Sequence, residues 1–189
     1  MAEKQKDIIS FLENRRSASA GFLTKPIPDK KELTNILKIG LRCPDHGRLE
    51  PWRIQVLSPE KLKSVACEVE KIGNKRGIDP DKLEKSKNRF LNSPLILVVI
   101  FSPKEGKIPV DEQFLSAGAV CMAILNAALA YGWGANWLTG WTAHDAEFKE
   151  TALGLLSEEK IAGYIHLGTN SRVLDDRPRP DLESKIEFV

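Results

Sequence analysis

Apolar residues recur at Ile8, Ile9 and Leu12 between Asp7 and Asn14, the spacing of a short amphipathic helix. After a turn at Pro26 and Pro28, Asp29 is placed to cap a second helix with apolar positions Leu33, Ile36, Leu37 and Leu41. That helix is expected to stop at Cys43-Pro44, because a residue before proline resists helical dihedrals. Pro51 to Leu57 alternates apolar and polar residues, the pattern of a strand. Pro59 to about Gly73 and Pro80 to about Leu91 read as exposed, charge-rich helices. Leu95 to Phe101 is continuously apolar and β-branched, so it belongs in the middle of a sheet, buried on both faces.

Asp111 to about Tyr131 is the longest helix. Small and apolar residues (Ala117, Gly118, Ala119, Ala123, Ala127, Ala128 and Ala130) leave it little polar face. A helix apolar all round must be covered on all sides, and a homodimer with this helix near its centre is the natural solution. Gly132-Trp133-Gly134 ends it, Ala135 to Leu138 reads as a strand, Glu147 to Leu156 as a short helix, and Ile161 to Leu167 as a strand ending at Gly168. The tail is rich in Pro, Arg and Asp. Its last residues, Lys185 to Val189, alternate and are expected to pair as an edge strand, in this subunit or in a partner's sheet. The result is an α+β fold of a single domain spanning residues 1–189, with a central, mostly antiparallel sheet flanked by helices.

Composition narrows the classes. The 189 residues carry a net charge of +2, with 42% hydrophobic and 29% charged residues, an ordinary globular balance. The basic residues Lys71, Lys75, Arg76, Lys82, Lys85, Lys87 and Arg89 cluster, but acids sit among them, and a solvated helix face is expected there instead of a nucleic-acid surface. The charged start, Met1 to Asp7, has no apolar run behind it, and the apolar stretch from Phe114 to Tyr131 is interrupted by Ser116, Gly118 and Asn126. Neither a signal peptide nor a membrane span is expected. The three cysteines, Cys43, Cys67 and Cys121, form no disulfide framework, and a cytoplasmic location follows.

Phosphate loops of the Walker and GxGxxG kinds are missing. Cys43-Pro-Asp-His46 has ligand-type residues but no matching second pair, so no metal site is expected. Nor does it make a nucleophilic pair, since no orienting third group is evident. His166, inside an apolar strand, reads as a satisfied core histidine. What remains are basic and polar residues at turns: Asn14-Arg15-Arg16-Ser17 just past a short helix, and Arg177-Pro178-Arg179-Pro180 in the tail. Each alone reads as a solvated loop; together they can offer guanidinium forks and a hydroxyl to a phosphate.

Asn14-Arg-Arg-Ser17-Ala-Ser19 followed by the Pro26 turn resembles the opening motif of the nitroreductase family. Leu41-Arg-Cys-Pro-Asp-His46 with Pro51-Trp52, the Ala-rich helix, Trp137-Leu-Thr-Gly140, Ile165-His-Leu-Gly168 and the Arg-Pro tail are similar to later family segments, in the family's order. Where many members carry Pro-Ser-x-x-Asn-x-x-Pro-Trp, this chain has Pro44-Asp-His-Gly-Arg-Leu-Glu-Pro-Trp52, which resembles a compact branch with a histidine near the flavin.

The resemblance implies an FMN-dependent oxidoreductase with NAD(P)H as donor, working as a homodimer with FMN at the subunit interface. Arg15, Arg16 and Ser17 would hold the phosphate and ribityl chain, with Arg177 or Arg179 closing on the phosphate. Arg42 and His46 would reach the flavin from the other subunit, Arg42 near the N1/O2 edge and His46 as a proton donor. Trp137, Leu138, Thr139 and Gly140 would pass the isoalloxazine, with an amide of Thr139 or Gly140 donating to N5; Gly140 suits a close approach because it lacks a Cβ. Hydride would move in ping-pong order through N5 to a nitroaromatic or quinone, the flavin carrying the chemistry. The competing expectations are a flavin-binding sensor or carrier without turnover, and a cofactor-free interaction module.

Overall fold

The computed structural model describes residues 5–172 and 174–189. Among them are six α-helices and a five-stranded sheet. The central strand β3, Leu95–Phe101, is buried at every position and pairs antiparallel with β2, Trp52–Leu57, on one side and β5, Lys160–Asn170, on the other. The far edge of β5 is shared end to end by β4, Gly134–Leu138, and by the two-residue β1, Leu23–Thr24, both antiparallel.

Alternation along β3 divides the core. Ile96, Val98 and Ile100 face α3 (Pro59–Lys75), α4 (Pro80–Leu91) and α6 (Ala146–Leu153), while Leu95, Leu97, Val99 and Phe101 face α2 (Lys30–Gly40) and α5 (Val110–Ala130). Helices therefore cover both faces of the sheet, and α1, Lys6–Asn14, lies alongside with no buried residue. The helix α5 is long and apolar enough to cross a membrane, and half of that apolar window is buried within the chain. Ala117, Val120, Cys121, Ile124 and Ala128 pack inward and Phe114, on the same stripe, meets Phe101, whereas Leu115 and Met122 on the opposite side stay exposed, so this chain alone covers one side of the helix.

The helix starts have the expected chemistry. Asp29 accepts the amide of Glu32 at 2.8 Å, and Pro59 and Pro80 stand in the first turns of α3 and α4. Several ends differ from the sequence pattern. The second helix stops at Gly40, ahead of Cys43-Pro44, where a Cβ would come within 2.2 Å of Ile124 Cγ1 and hold α2 off α5. The sixth ends at Leu153 because Gly154 turns left-handed, with φ 66°. The helix α3 is charge-rich on one face only, burying Leu62, Val65, Ala66, Val69 and Ile72. The strand β5 runs past Gly168 to Asn170, because its last two residues pair with β1. Lys185 to Val189 pairs with no strand in this chain: the amides of Lys185 and Ile186 fold back onto the Leu182 carbonyl at 3.0 Å, and the residues that follow are exposed.

One ion pair ties the sheet to the α6–β5 turn. Arg53 Nε and Nη2 each donate to Glu159 at 2.7 Å, and Glu159 also accepts the Leu156 amide at 3.0 Å while 1% exposed. The Arg53 fork, against the opposing effect of burial, pulls the Glu159 carboxyl down to about 2 from an ordinary value of 4.5. A depressed carboxyl contributes its full stability above its unfolded value and loses that contribution as pH falls through the folded one. Glu159→Gln is expected to cost about 2–3 kcal/mol in urea unfolding at pH 7. The gap from the native protein should narrow as pH falls from about 4.5 toward about 2; a gap independent of pH would mean that packing, and not the charge, is what the substitution removes.

Candidate functional site

The segment after α1 is fastened to the edge of the sheet. The Ala18 amide donates to the Ala135 carbonyl at 3.0 Å, and the Asn136 side-chain amide donates back to the Ala18 carbonyl. Strand alternation then sends the amide of Trp137 to the same open edge as the Ala135 carbonyl. Beside that edge lies a pocket of about 290 Å³ lined by Arg15, Arg16, Ser17, Met122, Leu125, Trp137 and Arg177. Three guanidiniums rim it, and Met122, Leu125 and the indole supply apolar wall.

The indole of Trp137 owes its place to glycine. Its Nε1 donates to the Ala162 carbonyl at 3.2 Å, and a Cβ on Gly163 would come within 2.0 Å of that nitrogen. On the α5 side Gly118 leaves ordinary space, since a Cβ there would stand 4.0 Å from the ring.

The cations are crowded. Arg15 Nη2 donates to Ser17 Oγ at 3.0 Å, but its Nε is buried with no partner among the described residues. Burial first, then the nearby Arg179, Arg16 and Arg177, hold the Arg15 pKa below the ordinary guanidinium value. Asp176 is the carboxylate that answers them, 3.4 Å from Arg16 Nη1 and 2.5 Å from Arg179 Nη2. Arg16 also donates to the Asp175 carbonyl. Of the two tail arginines, Arg177 lines the pocket and Arg179 turns to Asp176.

Leu138, Thr139 and Gly140 line a different, small cavity of about 10 Å³ with Ser86, Arg89, Thr142, Tyr164 and His166. The Tyr164 hydroxyl there is buried, and burial pushes its pKa up against the opposing effect of nearby Thr142. His166 is a satisfied core histidine, its Nδ1 3.0 Å from Ser93 Oγ; burial, then Arg89, push it down to about 4, so it is neutral. Gly140 has extended backbone, and a Cβ there would stand 3.5 Å from Arg89 Nη1, an ordinary contact. The chain's own packing therefore does not require glycine at that position.

Arg42 and His46 are exposed and not among the residues lining this pocket. His46 Nδ1 lies 2.8 Å from Glu112 Oε2 in the first turn of α5. The loop that carries it is held by the Asp45 carboxylate, which accepts the amides of Leu49 and Glu50, while Arg48 and Glu50 sit left-handed at φ 56° and 48°. The Trp52 indole donates to Ser116 Oγ at 3.1 Å, and that hydroxyl donates to the Pro44 carbonyl at 3.1 Å, pinning the loop to α5. Along α5, Glu112 and Met122 are ten residues apart, about 15 Å of rise.

Sequence pattern places Arg89 only within a basic cluster that reads as a solvated face, and nothing in it points to the cavity. The only signal at Arg89 is its place one helical turn beyond Lys85, which surface charge imitates. The pairing of Glu112 with His46 is equally silent, since 66 positions separate them.

A sequence profile of the nitroreductase family matches residues 12–169. The Escherichia coli K12 protein named "Putative NAD(P)H nitroreductase YdjA" is 36% identical over 164 residues, covering 86% of this chain and 88% of that protein. Among solved structures, a nitroreductase-like family protein from Bacillus cereus matches with a TM-score of 0.80 at 23% identity, covering 100% of this chain and 99% of its own. A nitroreductase with bound FMN from Bacteroides fragilis gives 0.75 at 19% identity, covering 97% and 98%.

The glycine beneath Trp137 supplies a test. Gly163→Ala should displace the indole, lower stability by about 1–3 kcal/mol and change the near-ultraviolet circular dichroism. Gly118→Ala, inside a helix with space for the methyl, should be neutral or stabilising by up to about 1 kcal/mol; equal effects from the two would remove the assigned role of Gly163.

Proposed function

Because the chain belongs to the nitroreductase family, we propose that it is an FMN-dependent oxidoreductase that draws on NAD(P)H and reduces a small acceptor such as a nitroaromatic or a quinone. The observation that carries this reading is the convergence of Arg15, Arg16 and Arg177 on a pocket walled by Met122, Leu125 and Trp137. A phosphate with a flat ring attached fits such a donor set. The dianion would offset guanidiniums that otherwise repel one another, and the orphaned Arg15 Nε would gain an acceptor.

In this assignment Arg15, Arg16 and Ser17 hold the phosphate and ribityl end, and Arg177, in preference to Arg179, closes on it. The open edge of β4 and the turn at Thr139-Gly140 border the ring, and an amide from that turn orients it. Gly140 supports this reading because the fold itself leaves room there for a Cβ. Bound in this way, FMN would supply the two-electron chemistry, reduced by NAD(P)H and reoxidised by the acceptor in ping-pong order.

The second part of the proposal is a homodimer in which Arg42 and His46 serve the partner's site. Within one chain, Glu112, the carboxylate paired with His46, lies about 15 Å along α5 from Met122 of the Arg15 pocket. The exposed side of α5 with Leu115 and Met122, and the 510 Å³ apolar groove that Ala123, Ala127 and Ala130 of α5 form with Ile8, Leu12 and Ile39, give a second copy a surface to cover. Held by Glu112, His46 would present its other ring nitrogen to an acceptor and deliver a proton as that acceptor is reduced.

An absorption spectrum before and after anaerobic NADPH tests the core of the proposal. Flavin bands that bleach and return on adding a nitroaromatic or quinone are the expected result. Bands that persist with both nicotinamides would make the protein a carrier or sensor, and a colourless protein that takes up no FMN would make it an interaction module. Arg15→Ala should weaken FMN binding by about tenfold or more. His46→Ala should slow acceptor reduction while FMN content stays intact; unchanged turnover would remove the proton-donor role.

A further inference from the structure

The basic cluster from Lys71 to Arg89 is not a uniform solvated face. Lys71 pairs with Glu68, Lys75 with Glu147, Arg76 with Asp145 and Glu147, and Lys87 with Glu70. Among the described residues, Lys82 makes no ion pair within 4.0 Å, and neither do Lys85 and Arg89. The last two stand one turn apart on α4, where two like charges disfavour each other, and both line one cleft of about 300 Å³. Asn88 and Asn92 line it too, along with Gly21, whose missing side chain faces open space. Arg89 also borders the small cavity against Thr139 and Gly140, so the cleft and the proposed ring site share that guanidinium.

We infer that this cleft is an anion subsite that receives the carboxylate of an aromatic acceptor whose reducible group stands at the ring beside Gly140. The inference rests on the flavin reading above. Lys85, exposed at the rim, supplies a point charge; Arg89, nearer Gly140, offers its planar fork; and the Asn88 and Asn92 side chains add neutral donors for the remaining lone pairs. The arrangement prefers an acceptor carrying a negative group a few ångströms from the atom that is reduced, and it gives a neutral acceptor of the same shape nothing extra. Neutral His166 next to Arg89 adds no competing charge.

The test compares 4-nitrobenzoate with its methyl ester, which presents the same nitro group without the charge. The native holoprotein should show a KM for the carboxylate about tenfold below that for the ester. Lys85→Ala should erase that difference by raising the carboxylate's KM alone, and Lys85→Arg should restore most of it. A second readout, independent of turnover, is isothermal titration with benzoate against benzamide: benzoate should bind the native protein more tightly, and Lys85→Ala should remove the preference. Equal binding of the two would overturn the subsite even if the ester is reduced. Preferential benzoate binding without reduction of either nitro compound would leave the subsite standing and sink the reductase reading instead. A Lys85→Ala effect on the KM of the nicotinamide donor, with none on the acceptor, would assign the cleft to the donor's phosphates and overturn the inference as stated.

Discussion

The fold depends on one strand that has no face to spare. Leu95 to Phe101 is buried throughout, so β3 must be flanked by strands on both edges and by helices on both faces. Its alternate side chains give α5 one core and α3, α4 and α6 another. The two cores fix the distance between α4 and α5 across the sheet. β5 bridges them, and its far edge carries β4. Everything proposed for the site hangs on that edge: Trp137 facing α5, Leu138 to Gly140 lining the cavity beside α4, and Arg15 to Ala18 stitched alongside.

Much of this frame is legible in the chain because its determinants are local. A run of seven apolar residues, a capping Asp29 and prolines at helix starts act within a few positions of themselves. β1 is illegible for the converse reason: two residues hold no period, and Leu23-Thr24 is a strand only because β5 runs past Gly168. The last five residues alternate like a strand, yet alternation supplies no partner, and the chain turns back at Leu182. The Arg15 to Ser17 cluster was visible as unpaired charge. That Arg177 lines the pocket while Arg179 pairs with Asp176 depends on where Asp176 falls in the tail. Arg53 with Glu159 and His46 with Glu112 lie far apart in sequence, and no pattern in either segment announces the other.

Charge at the pocket is arranged against the folded state. Arg15, Arg16, Arg177 and Arg179 gather near one carboxylate, and Arg15 keeps a buried nitrogen without an acceptor among the described residues. A fold selected for stability alone would place an acid there, as it does where Arg53 meets Glu159 and where Arg76 meets Asp145. The same chain thus contains both arrangements, a guanidinium answered by a carboxylate and a guanidinium left without one, and the proposed phosphate site lies at the second.

Glycine follows the same division. Gly40, Gly163 and Gly168 are explained inside the chain, because a Cβ at each would come within 3.0 Å of a neighbour: Ile124, Trp137, and Pro94 with the Thr24 carbonyl. Gly140 has no such neighbour and no left-handed backbone, so the fold would accept alanine there. The exposed apolar side of α5 is a third feature of this kind, costly for a lone chain and unexplained by its own packing. A missing acceptor at Arg15, a missing obstacle at Gly140 and a missing cover on α5 call for three different things: an anion, a flat group in close approach, and a second protein surface. One flavin bound between two copies of this chain would answer all three, whereas a ligand lacking any one of those properties would leave part of the structure without a physical reason.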